Sequence, residues 1–154
     1  MEATLVNAFR ASALTTFKEM FGLAAEPEAP RLLDANEDHG WDITGLVGLA
    51  GQCQGVLAIR LTHVLIGKLL EGTGVDVSDD GERRALEGGL VGELTNIIAG
   101  RATTAITGVD IEIAPPVVIR GPNHKIGWPA IAPVIQMGFK LPSGGFEVDL
   151  CMKL

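Results

Sequence analysis

Basic residues are scarce in this chain: 12 Lys and Arg stand against 19 Asp and Glu, for a net charge of -7. Phosphate backbones are held by concentrated positive surface, and no run of Lys or Arg supplies one, so a nucleic-acid groove is not expected. Cysteine is scarcer still. Cys53 and Cys151 are isolated in strand-like sequence and read as buried free thiols rather than a disulfide or a metal pair. Long apolar runs are also missing, because Gly, Arg or Gln interrupts each one, and no membrane span is expected. The start, Met1-Glu2-Ala3-Thr4, is neither basic nor followed by an apolar block, which gives no sign of a secretion signal. These absences point to a cytoplasmic protein. What remains is 47% hydrophobic and 20% charged over 154 residues, the composition of one compact domain spanning 1–154. Its acidic balance suits solubility and a partner with a basic patch.

Taken in order, residues 4–21 carry Leu5, Phe9, Ala13, Phe17, Met20 and Phe21 at the helical period, with Gly22 as the stop. Residues 24–38 hold Pro27 and Pro30 and read as a loop entering a short strand near 31–33. Runs 41–50 and 53–61 form a hairpin across Gly51-Gln52. Its glycines, Gly45, Gly48 and Gly55, mark bulges or places where a helix packs tightly on the sheet. Thr62 caps a short helix that ends by Gly72 to Gly74. A long helix is expected from about Gly81 to about Ile106, with N-cap candidates Ser78, Asp79 and Asp80, and Glu82 three residues after Asp79. Gly88, Gly89 and Gly92 within it lower helix propensity, which points to close approach of another backbone. The chain closes on strand-like segments at 109–113, at 117–120 beyond Pro115-Pro116, and in the hairpin 133–141 with 146–153, an ending expected to hold about three strands. In the last arm Phe146, Val148, Leu150 and Met152 alternate with Glu147, Asp149, Cys151 and Lys153, the pattern of one buried and one exposed face. The expected fold is α+β, two layers, a largely antiparallel sheet packed against the long central helix and the N-terminal helix.

Familiar catalytic spacings are missing. His39, His63 and His124 are scattered without HxxxH, HxH or Cys/His spacing, so no metal site is expected. There is no GxSxG, no phosphate-binding GxxxxGK[ST] and no GxGxxG between a strand and a helix. Ser12, Ser78 and Ser143 have no His or acid at readable spacing, and nothing selects two of the nineteen acids as a hydrolytic pair. The stretch that stands out is Leu90 to Gly100. Glu93 and Asn96, three apart on a helix, share one face. On a helical wheel Gly89, Glu93, Asn96, Gly100 and Thr103 form one stripe, set away from an apolar stripe of Leu86, Leu90, Leu94, Ile97, Ile98 and Ala105. Spacing alone leaves such a pair as a solvated helix face, the commoner arrangement; the flanking glycines make it approachable.

Val91-Gly92-Glu93-Leu94-Thr95-Asn96-Ile97-Ile98-Ala99-Gly100 resembles the signature of the CheC/CheX/FliY phosphatases of bacterial chemotaxis, most of all the CheX-like branch, since one such motif is present rather than two. Phe17 to Gly22 and the glycine-rich hairpin from Gly45 through Ile59 are similar to that family as well. The resemblance implies removal of the phosphoryl group from the phosphoaspartate of a CheY-type receiver. By it, Glu93 pairs with the receiver's lysine and Asn96 orients the attacking water. Gly89, Gly92, Gly100 and Thr103 would line the surface against which the receiver rests. Mg²⁺ would come with the receiver and no cofactor with this chain; a homodimer through the sheets is also implied. The sequence departs from the family at Gly89, where members often carry Asp or Ser. The competing readings are a non-catalytic receiver-binding or scaffold domain of the same fold, and a small-ligand-binding domain, for which no polar cluster speaks.

Overall fold

The computed structural model describes residues 3–34 and 40–154. Positions 35–38 of the expected early loop, and His39, lie outside the described residues. The elements run α1 (Ala3–Phe21), β1 (Glu26–Pro27), β2 (Arg31–Leu32), β3 (Ile43–Gly51), β4 (Gln54–Leu61), α2 (His63–Gly72), α3 (Asp80–Ala105), β5 (Ile111–Ile113), β6 (Val117–Arg120), β7 (Val134–Lys140) and β8 (Phe146–Lys153). Four strands follow α3 rather than about three, since both short segments, β5 and β6, pair with β3 as strands of their own. The open sheet is antiparallel throughout, in the order β1-β7-β8-β4-β3-β5, with β2 beside β7 and β6 beside β3.

Local chemistry explains most boundaries. α1 stops at Gly22, whose φ of 68° suits a residue without Cβ and whose N–H bonds back to Lys18. Thr62 caps α2 by accepting from the Leu65 N–H, and Asp79 caps α3 by accepting from the Glu82 N–H at 3.0 Å. Gly51 turns the β3–β4 hairpin at φ 86°.

The core lies between one face of the sheet and the helix layer of α1 and α3. Phe17 of α1 stacks on Phe146 of β8 with centroids 3.9 Å apart, and Phe139 of β7 stacks on the same ring at 4.7 Å. Leu57, Ile59, Val148 and Leu150 from the central strands meet Leu94 and Ile98 of α3 within one buried cluster.

The alternation in β8 does not leave an exposed face. Glu147, Asp149 and Cys151 are as buried as the apolar residues between them. The cover is tertiary: Arg31 of β2 and Arg60 of β4 stand beside Glu147, and residues 121–133 lie against Arg60 and Cys151 on the outer face of the sheet. There the Cys151 thiol donates to the carbonyls of Pro129 and Ala132, and Arg60 of β4 donates to the carbonyl of His124. Both cysteines are free, buried thiols.

Candidate functional site

The site is built on α3, and α3 is fixed from several sides. Gly45 of β3 sits against Thr95, the residue before Asn96, with no room for a Cβ between them. Gly92 faces the side chains of Val118 and Pro116 at ordinary contact distance. From α1, the Ser12 hydroxyl donates to the Ile98 carbonyl at 2.7 Å. Arg101 reaches Thr16 and forms an ion pair with Glu19. Near its start, Glu87 is buried and ion-paired with Arg120 at the end of β6.

Glu93 and Asn96 emerge from this clamp on the exposed side of the helix. Among the described residues, neither side chain makes a hydrogen bond or an ion pair. Both are therefore available to an outside partner. Gly89 is exposed and Gly100 half-buried, each with open space where a Cβ would stand.

Two members of the expected surface lie elsewhere. Gly92 is turned toward β6, and Thr103 is buried with its hydroxyl on the Ala99 carbonyl at 2.9 Å. The wheel assumed one buried stripe, but α3 contacts α1, α2 and the sheet, so burial covers a wider arc. That arc holds Glu87, Val91, Leu94, Thr95, Ile98 and Ala102. Leu86, Leu90 and Ile97, assigned to the core by the wheel, are only half-buried, and Ala105 is exposed. Leu90 and Ile97 stand one turn either side of Glu93, which gives the carboxylate apolar neighbours that periodicity alone hid.

The close backbone approach expected at Gly88, Gly89 and Gly92 is absent. Gly88 and Gly89 face open space, and the tight glycine contact is made by the strand at Gly45. The buried pair Glu87–Arg120 was also missed; its one signal was an acid on the apolar side of the helix.

Chemically, the exposed pair combines a fixed negative charge with a carboxamide that both donates and accepts hydrogen bonds. The first suits a cation on a partner, the second a water held against an electrophile. Among the described residues no three His, Cys, Asp or Glu side chains gather as a metal set, and no helix is long and apolar enough to cross a membrane.

A long helix packed on an open antiparallel sheet is the fold of the CheC-like and CheX chemotaxis proteins. A CheC-like superfamily protein from Shewanella sp. PV-4 superposes over 100% of both chains with a TM-score of 0.87 at 29% identity. The chemotaxis protein CheX from Vibrio vulnificus covers 98% of this chain and 100% of its own, with a TM-score of 0.86 at 29% identity. The chain of a CheX–CheY–BeF3–Mg²⁺ complex from Borrelia burgdorferi shares the fold, with a TM-score of 0.82 at 24% identity over 97% of each chain. No curated protein gives a significant match. The model of the family described as chemotaxis phosphatase CheX matches residues 43–140, more than half of the sequence, and this chain belongs to that family.

Proposed function

We propose that this chain hydrolyses the aspartyl phosphate of a CheY-type receiver domain. The observation that carries this reading is the Glu93/Asn96 pair, exposed, unpartnered among the described residues, and one turn apart on a helix held from three sides. The membership in a chemotaxis phosphatase family and the CheY complex formed by the Borrelia burgdorferi protein support this choice of substrate class.

In this mechanism Glu93 docks on the receiver's lysine and brings α3 over the phosphorylation site. Asn96 enters beside the acyl phosphate and fixes a water in line with the scissile bond. Water oxygen bonds to phosphorus, the phosphorus–oxygen bond to the aspartyl carboxylate breaks, and inorganic phosphate leaves. Phosphoryl transfer demands positioning and charge neutralisation more than a strong base, which is why a neutral carboxamide suffices. Mg²⁺ would come with the receiver and would supply charge neutralisation at the phosphoryl oxygens. A hundredfold acceleration asks for only about 2.7 kcal/mol from the placed amide.

The test is phosphate release from phosphorylated receivers of the same organism. Asn96→Ala should abolish acceleration while receiver binding persists, and Glu93→Ala should weaken binding first. Binding of wild-type protein to phosphoreceiver with no faster phosphate loss would establish the non-catalytic scaffold instead. Unchanged rates in Asn96→Ala would remove the role given to the amide.

A further inference from the structure

The outer face of the sheet holds a polar cluster that the phosphatase reading does not use. Glu147 and Asp149 project from β8; Arg60 of β4 lies opposite Glu147, and Gln136 of β7 lies opposite Asp149. Exposure is 0% for Asp149 and Gln136, 1% for Arg60 and 5% for Glu147. Gln136 donates its amide to Glu147 at 2.9 Å, and Arg31 of β2 stands 3.9 Å from the other Glu147 oxygen. Arg60 spends its Nε on the Thr44 hydroxyl at 3.3 Å and an Nη on the His124 carbonyl at 3.0 Å.

Among the described residues three buried atoms are then left with no partner: both carboxyl oxygens of Asp149 and the carbonyl oxygen of Gln136. All three are acceptors if Asp149 is ionised, so the cluster is short of a donor rather than short of space. One proton corrects this, because a neutral Asp149 turns one of its oxygens into a donor. We propose that Asp149 holds a proton at neutral pH, that its O–H is the missing donor, and that this proton latches the 121–133 segment over the sheet.

The charges facing Asp149 agree. Burial pushes its carboxyl well above the carboxylate range; the neighbouring Glu147 carboxyl pushes the same way, while Arg60 and Arg31 pull it down without prevailing. Cys151 is the next titratable group on the same strand face, and burial pushes its thiol up too. From 121–133, His124 faces the cluster through Arg60, and β7 contributes only the neutral Gln136.

The latch works through Arg60. Its grip on the His124 carbonyl lasts while the neighbouring acids carry a single negative charge between them. When Asp149 ionises, a second carboxylate competes for the guanidinium and the His124 contact yields. The sign follows from a carboxyl pKa raised by folding. Its stabilising contribution is complete below about pH 4, the ordinary carboxyl value, and is lost as pH rises through the folded-state value.

The test is carbon NMR of the Asp149 carboxyl together with amide exchange of residues 122–132, in wild type and Asp149→Asn. At neutral pH the Asp149 carbon should report the neutral acid. As pH rises through the midpoint that the Asp149 carbon itself reports, wild-type protection in 122–132, corrected for intrinsic exchange, should fall about tenfold or more, and Asp149→Asn should keep it. Glu147→Gln removes the like charge and should lower the Asp149 midpoint, which keeps the test open if the first variant folds poorly. A carboxylate signal for Asp149 at neutral pH, or equal pH dependence in wild type and Asp149→Asn, would overturn the proposal.

Discussion

A Cβ added to Gly45 of β3 would overlap the Thr95 hydroxyl of α3 and stand 2.9 Å from Thr95 Cβ. The hydroxyl has no freedom to withdraw, since it donates to the Val91 carbonyl at 2.7 Å within its own helix. Strand and helix are therefore locked one residue before Asn96. The glycine in the strand sets how deep the turn carrying Asn96 lies on the sheet.

Gly45→Ala should destabilise the protein by about 1–3 kcal/mol, the usual range for overpacking a core. Thr95→Ala in the same chain should recover much of that loss, because the two changes act on one contact. A denaturation double-mutant cycle measures the coupling; additive losses would mean that the contact does not position α3.

Gly89→Ala should have the opposite sign. Nothing lies within 4 Å of the added methyl, and alanine gains about 0.5–1 kcal/mol of helix stability over glycine. Gly89→Asp installs a carboxylate at the exposed face. It should fold as well as wild type and change receiver affinity, which a binding titration against several receivers reads directly.

Arg120 and Glu87 form a nearly buried ion pair, with side-chain exposures of 18% and 3%. Arg120→Ala leaves the acid buried without its partner and should cost about 3–5 kcal/mol. Replacing both with apolar residues of similar volume should cost much less. Chemical denaturation of the two variants separates loss of a charge partner from loss of packing.

Receiver association should weaken as salt rises, because Glu93 is exposed and its proposed contact is an ion pair in reach of solvent. Glu93→Gln should bind more weakly at low salt and show a flatter salt dependence. Parallel slopes for the two proteins would place the electrostatic contact elsewhere.

The thiols of Cys53 and Cys151 should react slowly with a thiol reagent in the native protein. Burial raises both above the ordinary thiol value, which lowers the thiolate fraction, and both are shielded. Reaction of both at the rate of a model thiol under native conditions would contradict the burial of 121–133 over Cys151.

Much of this was legible in the chain. The helix of residues 3–21, the Gly51-Gln52 turn, the Asp79 cap and the last hairpin follow from periodicity and capping chemistry, which are local. The pairing of Glu93 with Asn96 on one exposed face follows from a spacing of three in a helix. The sharing of that face by other residues does not follow, because a wheel places residues by angle and cannot show how many neighbours the helix has. Thr103 and Gly92 went inward because α3 is held by α1, α2 and the sheet at once.

The same division holds across the molecule. Sequence alone determined the α+β class, the helix that carries Glu93 and Asn96, and the family motif, since each depends on residues close together along the chain. Only the tertiary structure decided that Gly45, fifty residues before Thr95, seats the helix, and that residues 121–133 cover Cys151 on what reads as an exposed face. Both depend on what a distant segment brings to a surface. Alternation along a strand names two faces, but only the fold covers them.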